Sequence, residues 1–207
     1  MRLWVESALY SPAGRGANGA ARVWTLQTEE RFCALLADGS APPGPVAQVC
    51  ALLEQGAALE AVREGLLAAL PEGGHVPLAA LGAVDSADAA NAALDAWLLE
   101  CDAPPLVLLR GGEPVTLPVE EEDVRGHLVR SCRFPLLDGD TLALVNEAFI
   151  RPRGALRRWG WQEIAASVRR WTSTGCDAEG LLRALLSTYR RVAGGSPDEV
   201  CVRTLRV

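Results

Sequence analysis

The sequence predicts an α+β fold: a four-layer αββα sandwich of two antiparallel sheets flanked by helix pairs. Segments of strand length and segments with helical periodicity occur in separate blocks along the chain, rather than alternating one by one. Short turn signals separate the strands of the middle block, as between antiparallel neighbours. Of the 207 residues, 49% are hydrophobic, which suits a sizeable core in one domain over residues 1–207.

The first third of the chain predicts three strands followed by two helices. Residues 2–9 and 21–27 partly alternate between apolar and polar side chains, as half-buried strands do. Residues 31–37 form a more continuous apolar run, which indicates a strand covered on both faces. Apolar residues then recur at helical spacing in two groups that Gly56 separates: Val46, Val49, Cys50 and Leu53, then Leu59, Val62, Leu66 and Leu70.

The middle of the chain, residues 76–146, predicts successive antiparallel strands. Apolar stretches such as "VPLAALGAV", "PLVLLR", "PVTL", "HLVRSCRF" and "TLALVN" are separated by turn signals such as Pro104-Pro105 and Asp138-Gly139. The stretch "ADAANAALDAWLL" is interpreted as a strand, although its alanine content equally suits a helix. The run "EEED" at 120–123 is interpreted as a solvated loop.

The last third predicts two helices and a final strand, "EVCVRTLRV", whose side chains alternate. Asp177 can cap the second helix, and Gly194-Gly195 ends it. Each helix has an apolar face: Trp161, Ile164, Ala165, Val168 and Trp171 on the first, and Leu181, Leu182, Leu185, Leu186 and Tyr189 on the second.

The charge balance and hydropathy argue against several classes of partner. The net charge is −6 and the isoelectric point is about 5.0, so neither nucleic acid nor an acidic membrane surface is an expected partner. No apolar stretch reaches the roughly 18 residues of a membrane-spanning helix. The first ten residues lack the apolar region of a signal peptide, so we expect a cytoplasmic protein.

The sequence lacks the motifs of several other common functional sites. The six cysteines include no CxxC pair and the chain has two histidines, His75 and His127, so a structural zinc site is not expected. There is no G-x-S-x-G elbow for a serine hydrolase. All 20 basic residues are arginine, so a lysine-dependent phosphate-binding loop is excluded.

Acidic residues stand at the ends of three predicted strands. Asp38 ends "CALLA", Glu147 follows "TLALVN", and Asp198 precedes the last strand. Carboxylates from separate strands that meet in one cleft would form an all-oxygen site for Mg²⁺ or Mn²⁺. Such an ion lowers the pKa of bound water and supplies a nucleophile for phosphoester cleavage. Alternatively, these acids are ordinary turn residues, since Asp-Gly and Pro-Asp are common in turns.

Five stretches, in order, resemble one family: "SPAGRGAN", "ALLADG", "DAPPLVLLRGGEPVTL", "LLDGDTLALVNEAF" and "GGSPDEVCVRTLRV". They are similar to motifs of the metal-dependent (PPM-type) serine/threonine protein phosphatases, whose fold is an αββα sandwich. The resemblance spans essentially the whole chain. Its compact length most resembles bacterial members akin to stage II sporulation protein E and the short stress-response feedback phosphatases.

The resemblance implies roles for five residues of this chain. Asp38 would bridge two Mg or Mn ions, with the Gly39 carbonyl, Asp198 and the substituted Glu147 as further ligands. Arg15 matches the arginine that binds substrate phosphate, a role that suits its bidentate fork. The alternative for Arg15 is an ordinary surface position in a glycine-rich loop.

The departures from the family pattern leave two functions open. Asn18-Gly19-Ala20 stands where the family has Asn-Glu-Asp, and Asn146-Glu147-Ala148 stands where it has (S/T)-D-G. One hypothesis is a Mg/Mn-dependent phosphatase that acts on phosphoserine or phosphothreonine in a regulatory protein. The other is a pseudophosphatase with a weak or absent metal centre, which binds a phosphoprotein or a signalling partner.

Overall fold

A computed structural model describes residues 6–10, 22–85, 94–150, 161–173, 175–193 and 202–206. Its strands are β1 (Glu6–Tyr10), β2 (Arg22–Gln27), β3 (Arg31–Ala37), β4 (Leu78–Asp85), β5 (Leu94–Cys101), β6 (Val107–Arg110), β7 (Glu113–Pro114), β8 (Glu120–Val124), β9 (His127–Leu136), β10 (Thr141–Val145) and β11 (Val202–Arg206). Its helices are α1 (Pro43–Glu54), α2 (Leu59–Ala69), α3 (Glu147–Ile150), α4 (Trp161–Thr172) and α5 (Ala178–Ala193).

The strands form two antiparallel sheets. The five-stranded sheet has the order β1-β11-β10-β6-β7, and the six-stranded sheet has the order β2-β3-β4-β5-β9-β8. In the six-stranded sheet, turns join the neighbours β2 and β3 and the neighbours β8 and β9, whereas the segment that carries α1 and α2 runs between the neighbours β3 and β4. The last strand, β11, instead inserts between β1 and β10, which brings residues from both ends of the chain into one sheet.

The core between the two sheets explains the apolar run of β3. Phe32 and Leu36 on this strand belong to the cluster between the sheets, whereas Cys33 and Leu35 pack towards α1 and α2. Residues 32–37 are therefore buried on both faces, and the prediction of a strand covered on both sides is confirmed. The opposite sheet supplies Leu108, Leu142, Leu144 and Leu205 to the same inner cluster.

Helix pairs cover the outer faces of the two sheets. Val49, Leu53, Val62 and Leu66 of α1 and α2 pack against the six-stranded sheet. Ile164, Val168, Leu181 and Leu185 of α4 and α5 pack against the five-stranded sheet. The predicted four-layer αββα sandwich is confirmed. None of the helices in the described part of the chain combines the length and the apolar character needed to cross a membrane.

Several elements differ from the sequence-based predictions. The run "EEED" is not a loop but the edge strand β8, which pairs with β9 through its backbone. Glu120, Glu121 and Asp123 are exposed on this edge, and their charges protect the edge from further pairing. The "PVTL" strand is reduced to β7, and the short helix α3 was not predicted. The predicted helix end at Gly194-Gly195 lies outside the described residues.

Candidate functional site

Asp38 directly follows strand β3. Its amide donates to the carbonyl of Pro77 (2.9 Å), and its own carbonyl accepts from the amide of Ala41 (3.0 Å). Its Oδ1 accepts hydrogen bonds from the amide (3.2 Å) and the hydroxyl (3.3 Å) of Ser40. Asp38 is thus in a turn, as Asp-Gly often is, but this turn holds a half-buried carboxylate in a fixed orientation.

A hydrogen bond across the sandwich joins Asp38 to the other sheet. Asn146 follows β10 and is only 2% exposed, and its Nδ2 donates to Oδ2 of Asp38 (3.1 Å). The end of β3 in one sheet therefore meets the end of β10 in the other. The chain next reaches Glu147, so the structure brings two of the sequence-predicted acids to one end of the sandwich.

Glu147 begins α3 and accepts a hydrogen bond from a histidine. The Oε2 of Glu147 lies 3.0 Å from Nε2 of His75. An ionised carboxylate offers only acceptors, so the ring nitrogen is the donor in this contact. His75 and Glu147 line a cavity of about 390 Å³, together with Asp102, Ala103, Pro104, Pro105, Leu128, Arg130 and Ile150.

Sequence reasoning missed the residues on the far side of His75. Nδ1 of His75 lies 3.5 Å from Oδ2 of Asp102, and the same oxygen lies 2.7 Å from Nδ1 of the buried His127. In the sequence, His75 and His127 belong to no recognisable ligand motif, so the pattern did not mark them as site residues. The rule that selects acids at strand ends would have found Asp102, which directly follows β5.

Three positions of the sequence-predicted site lie outside the described residues. These are Arg15, the departure at 18–20 and Asp198. The described part of the site therefore consists of Asp38, Gly39 and Glu147, and it adds Asn146 and His75.

The donor set of these residues fits a hard cation at Asp38. A carboxylate offers about four lone-pair positions, and Ser40 and Asn146 use three of those on Asp38. The remaining position on Oδ2 and the adjacent Gly39 carbonyl are oxygen donors, which Mg²⁺ and Mn²⁺ prefer. Glu147 fits less well, because an ion on its Oε2 would lie beside the N–H that His75 directs at that oxygen.

A second group of metal-type ligands does not fit a cation. Among the described residues, Cys101, Asp102 and His127 place one ligand atom each within 4.8 Å of one another. Burial raises the pKa of Cys101 to about 12, so its sulfur remains a protonated thiol. Both ring nitrogens of His127 are directed at oxygen atoms of the protein, Asp102 at 2.7 Å and the Pro71 carbonyl at 3.2 Å, and hence neither is directed at an open metal position.

The sequence matches no family model and no curated protein. The fold does match solved structures. The chain superposes on the PP2C phosphatase domain and regulatory-domain fragment of SpoIIE from Bacillus subtilis with a TM-score of 0.70 and 14% identity, covering 99% of this chain and 63% of that one. For the RsbU and RsbW domains of a Mycobacterium tuberculosis protein the TM-score is 0.73 at 14% identity, covering 98% and 61% of the two chains.

A third structure is similar over nearly its whole length. RsbX, solved in complex with magnesium, gives a TM-score of 0.64 at 12% identity, with 97% of this chain and 94% of that chain covered. The chain thus spans less than two thirds of the SpoIIE and M. tuberculosis chains but almost all of RsbX. Together these likenesses show that the chain has the fold of PP2C-type phosphatase domains, the PPM-type fold that the sequence motifs resemble.

Proposed function

We propose that residues 1–207 form one phosphatase-type domain, which hydrolyses phosphoserine or phosphothreonine on a regulatory protein with a Mg or Mn ion. The observation that carries the proposal is the placement of Asp38. Strand β3 ends there, and Asn146 of the opposite sheet holds its carboxylate at 3.1 Å. A PP2C-type fold with an oriented acid at this strand end supports phosphoester hydrolysis.

Each residue in the proposed site has a distinct task. Asp38 and the Gly39 carbonyl would hold the ion, with Asp198 as a further ligand, and Ser40 and Asn146 orient the Asp38 carboxylate. When bound, the ion supplies a water of lowered pKa as the nucleophile and offsets the charge of the phosphoryl group. Arg15 binds the phosphate oxygens through its planar fork.

A regulatory protein is the partner that fits this domain best. The SpoIIE structure is that of a cell fate determinant with a regulatory domain, and PppA is a key regulatory component of a secretion system. These proteins carry the same fold in regulatory settings, which supports a phosphorylated regulatory protein as the substrate. The acidic charge of this chain supports a protein rather than a nucleic acid as that substrate.

The test is hydrolysis of an aryl phosphate and of a phosphothreonine peptide in the presence of Mn²⁺ or of a chelator. Loss of a ligand should cost at least as much as loss of an outer-shell partner, so we expect Asp38→Asn to lower kcat/KM at least about 100-fold. Asp85→Asn is the matched control, because Asp85 is an exposed acid at the end of β4 that lies away from Asp38. Activity that is equal in both variants, or independent of Mn²⁺, would contradict the proposal.

The contact between His75 and Glu147 favours a second function, a pseudophosphatase. With Glu147 bonded to His75 and no acid at Gly19 or Ala20, the cleft has fewer carboxylates for a metal centre. The domain would then bind a phosphoprotein or signalling partner without turnover. Calorimetry with a phosphothreonine peptide and its unphosphorylated counterpart separates the two functions: selective binding without phosphate release supports the pseudophosphatase, and release supports the enzyme.

A further inference from the structure

His75 lies between two carboxylates at the end of the sandwich. Its Nε2 contacts Oε2 of Glu147 at 3.0 Å, and its Nδ1 lies 3.5 Å from Oδ2 of Asp102. The side chain of His75 is 49% exposed, so solvent can reach the ring, whereas Asp102 is only 9% exposed. The ring therefore links a buried acid to the acid that the sequence motif marks as a metal ligand.

Asp102 is a firmly held acceptor. Its Oδ2 accepts from the Val76 amide (2.9 Å) as well as from His127, and its Oδ1 accepts from the Leu128 amide (2.9 Å). Burial by itself would raise the pKa of Asp102, but the hydrogen bonds from His127, Val76 and Leu128 outweigh it and lower that pKa. Asp102 thus remains ionised and keeps a fixed negative charge beside His75.

The segment 71–77, which carries His75, is attached to the sheets at both of its ends. At its start, Nε2 of the fully buried His127 contacts the Pro71 carbonyl at 3.2 Å. At its end, the Pro77 carbonyl accepts from the amide of Asp38 at 2.9 Å. Gly73 and Gly74 turn the segment with positive φ values of 72° and 96°. The frame that fixes Asp38 therefore also fixes the position of His75.

We propose that His75 is a positioning residue that engages the carboxylate of Glu147, so that the cleft holds no more than one divalent ion, at Asp38. This inference rests on the proposed function, because it concerns the same site. The N–H of His75 points at Oε2 of Glu147, and a cation on that oxygen would face the positive end of the N–H bond. The other ring nitrogen, Nδ1, faces Oδ2 of Asp102 at 3.5 Å, and His127 in turn contacts that carboxylate at 2.7 Å, so both ring nitrogens of His75 have an acidic neighbour.

The experiment measures Mn²⁺ binding to the full chain without substrate, by calorimetry and by the electron paramagnetic resonance signal of free Mn²⁺. We expect the unmodified chain to bind at most one equivalent. We expect His75→Ala to gain a further equivalent of bound Mn²⁺, because no N–H then opposes an ion on Oε2 of Glu147. The double variant His75→Ala, Glu147→Gln should lose this gain.

Two controls separate positioning from a general structural effect. His75→Gln retains an N–H donor, so we expect it to keep the binding stoichiometry of the unmodified chain. Asp38→Asn should remove the first equivalent, which distinguishes the ion at Asp38 from the one gained at Glu147. Since His75 is half exposed, neither of its substitutions removes a core contact.

The outcomes also distinguish this inference from the proposed function. Two equivalents in the unmodified chain, with one lost in Glu147→Gln, would overturn the inference and leave the phosphatase proposal standing. Unchanged Mn²⁺ binding in His75→Ala would overturn it as well. Conversely, a chain without Mn²⁺-dependent hydrolysis that gains Mn²⁺ on His75→Ala would contradict the proposed enzyme and support the inference.

Discussion

Glu100 shows how strongly the core between the sheets acts on a single residue. It is 1% exposed, and its carboxylate accepts from the Leu106 amide (2.7 Å) and pairs with Arg130 (2.9 Å). Burial raises the pKa of Glu100 to about 7, although Arg130 and the Leu106 amide act in the opposite direction. The folded chain therefore binds a proton here more tightly than the unfolded chain does.

The folded protein should consequently lose stability as the pH rises through this range. The pKa of Glu100 is higher in the folded state, about 7, than in the unfolded state, about 4.5, so its contribution is fully present below the unfolded value and is lost as pH approaches 7. We expect a slope of up to about 1.4 kcal/mol per pH unit between these values, measured by urea unfolding. Glu100→Gln should abolish this slope, with Glu120→Gln on the exposed edge strand as the control for loss of charge. A slope that persists in Glu100→Gln would contradict the assignment.

The candidate site was predictable from sequence only in part. Asp38 and Glu147 could be found because each directly follows a recognisable apolar strand. Their neighbours His75 and Asp102 could not be found in this way, because they lie 72 and 45 residues from Glu147 in sequence. Only the pairing of β5 with β9 and the placement of segment 71–77 bring them together.

Strand β4 illustrates a constraint at the scale of an element. Gly82 lies opposite Trp97 of β5, and a Cβ atom built at Gly82 would come within 2.3 to 2.5 Å of the indole ring. The ring is 8% exposed and packs in the cluster under α1 and α2, so it has little room to move. Glycine is therefore required here by the close approach of a neighbouring side chain.

Substitution of Gly82 tests whether the Trp97 ring leaves room for a Cβ atom at this position. We expect Gly82→Ala to lower the free energy of unfolding by about 1–3 kcal/mol, as overpacking does, and to change the Trp97 fluorescence environment. Gly44→Ala is the matched control, because no atom lies within 4 Å of a Cβ built there. If both variants unfold at the same denaturant concentration, the indole does not cover Gly82.

Elements with an apolar face were predictable, and those without one were not. The alternation of Phe32 and Leu36 with Cys33 and Leu35 reflects two cores, and the strand was assigned correctly. The edge strand β8 has no such pattern, since its stability comes from backbone pairing with β9 and an ion pair between Arg63 and Glu122. Hydrophobic periodicity reports buried side chains, and it gives no signal where an element is held mainly by backbone pairing.

At the scale of the whole molecule, the order of the strand and helix blocks along the chain predicted the four layers of the sandwich. Each helix pair packs its apolar face against the outer face of one sheet. The block order does not say which strand ends meet across the sandwich. Asn146 and Asp38 are 108 residues apart, and their hydrogen bond joins the two sheets at the site. This hydrogen bond between the sheets is a property of the assembled sandwich and not of either sheet alone.

The last prediction tests the hydrogen bond between Asn146 and Asp38. Asn146→Ala removes the donor to Asp38 and should cost about 1–2 kcal/mol of unfolding free energy. Asn146→Asp should cost more at neutral pH, because a second carboxylate would face Asp38 where the donor now lies at 3.1 Å, and like charges about 4 Å apart at a protein surface repel by up to about 4 kcal/mol. Urea unfolding in the presence of a chelator measures both variants without interference from metal.

The pH dependence of the two variants distinguishes charge repulsion from loss of a contact. Repulsion raises the pKa of the acid pair in the folded state of Asn146→Asp, so its stability is retained below the unfolded value of about 4 and is lost as the pH rises. The deficit of Asn146→Asp relative to Asn146→Ala should therefore widen between pH 4 and pH 7.5. If it stays constant, the side chain at position 146 does not face Asp38, and the two sheets do not meet at this pair.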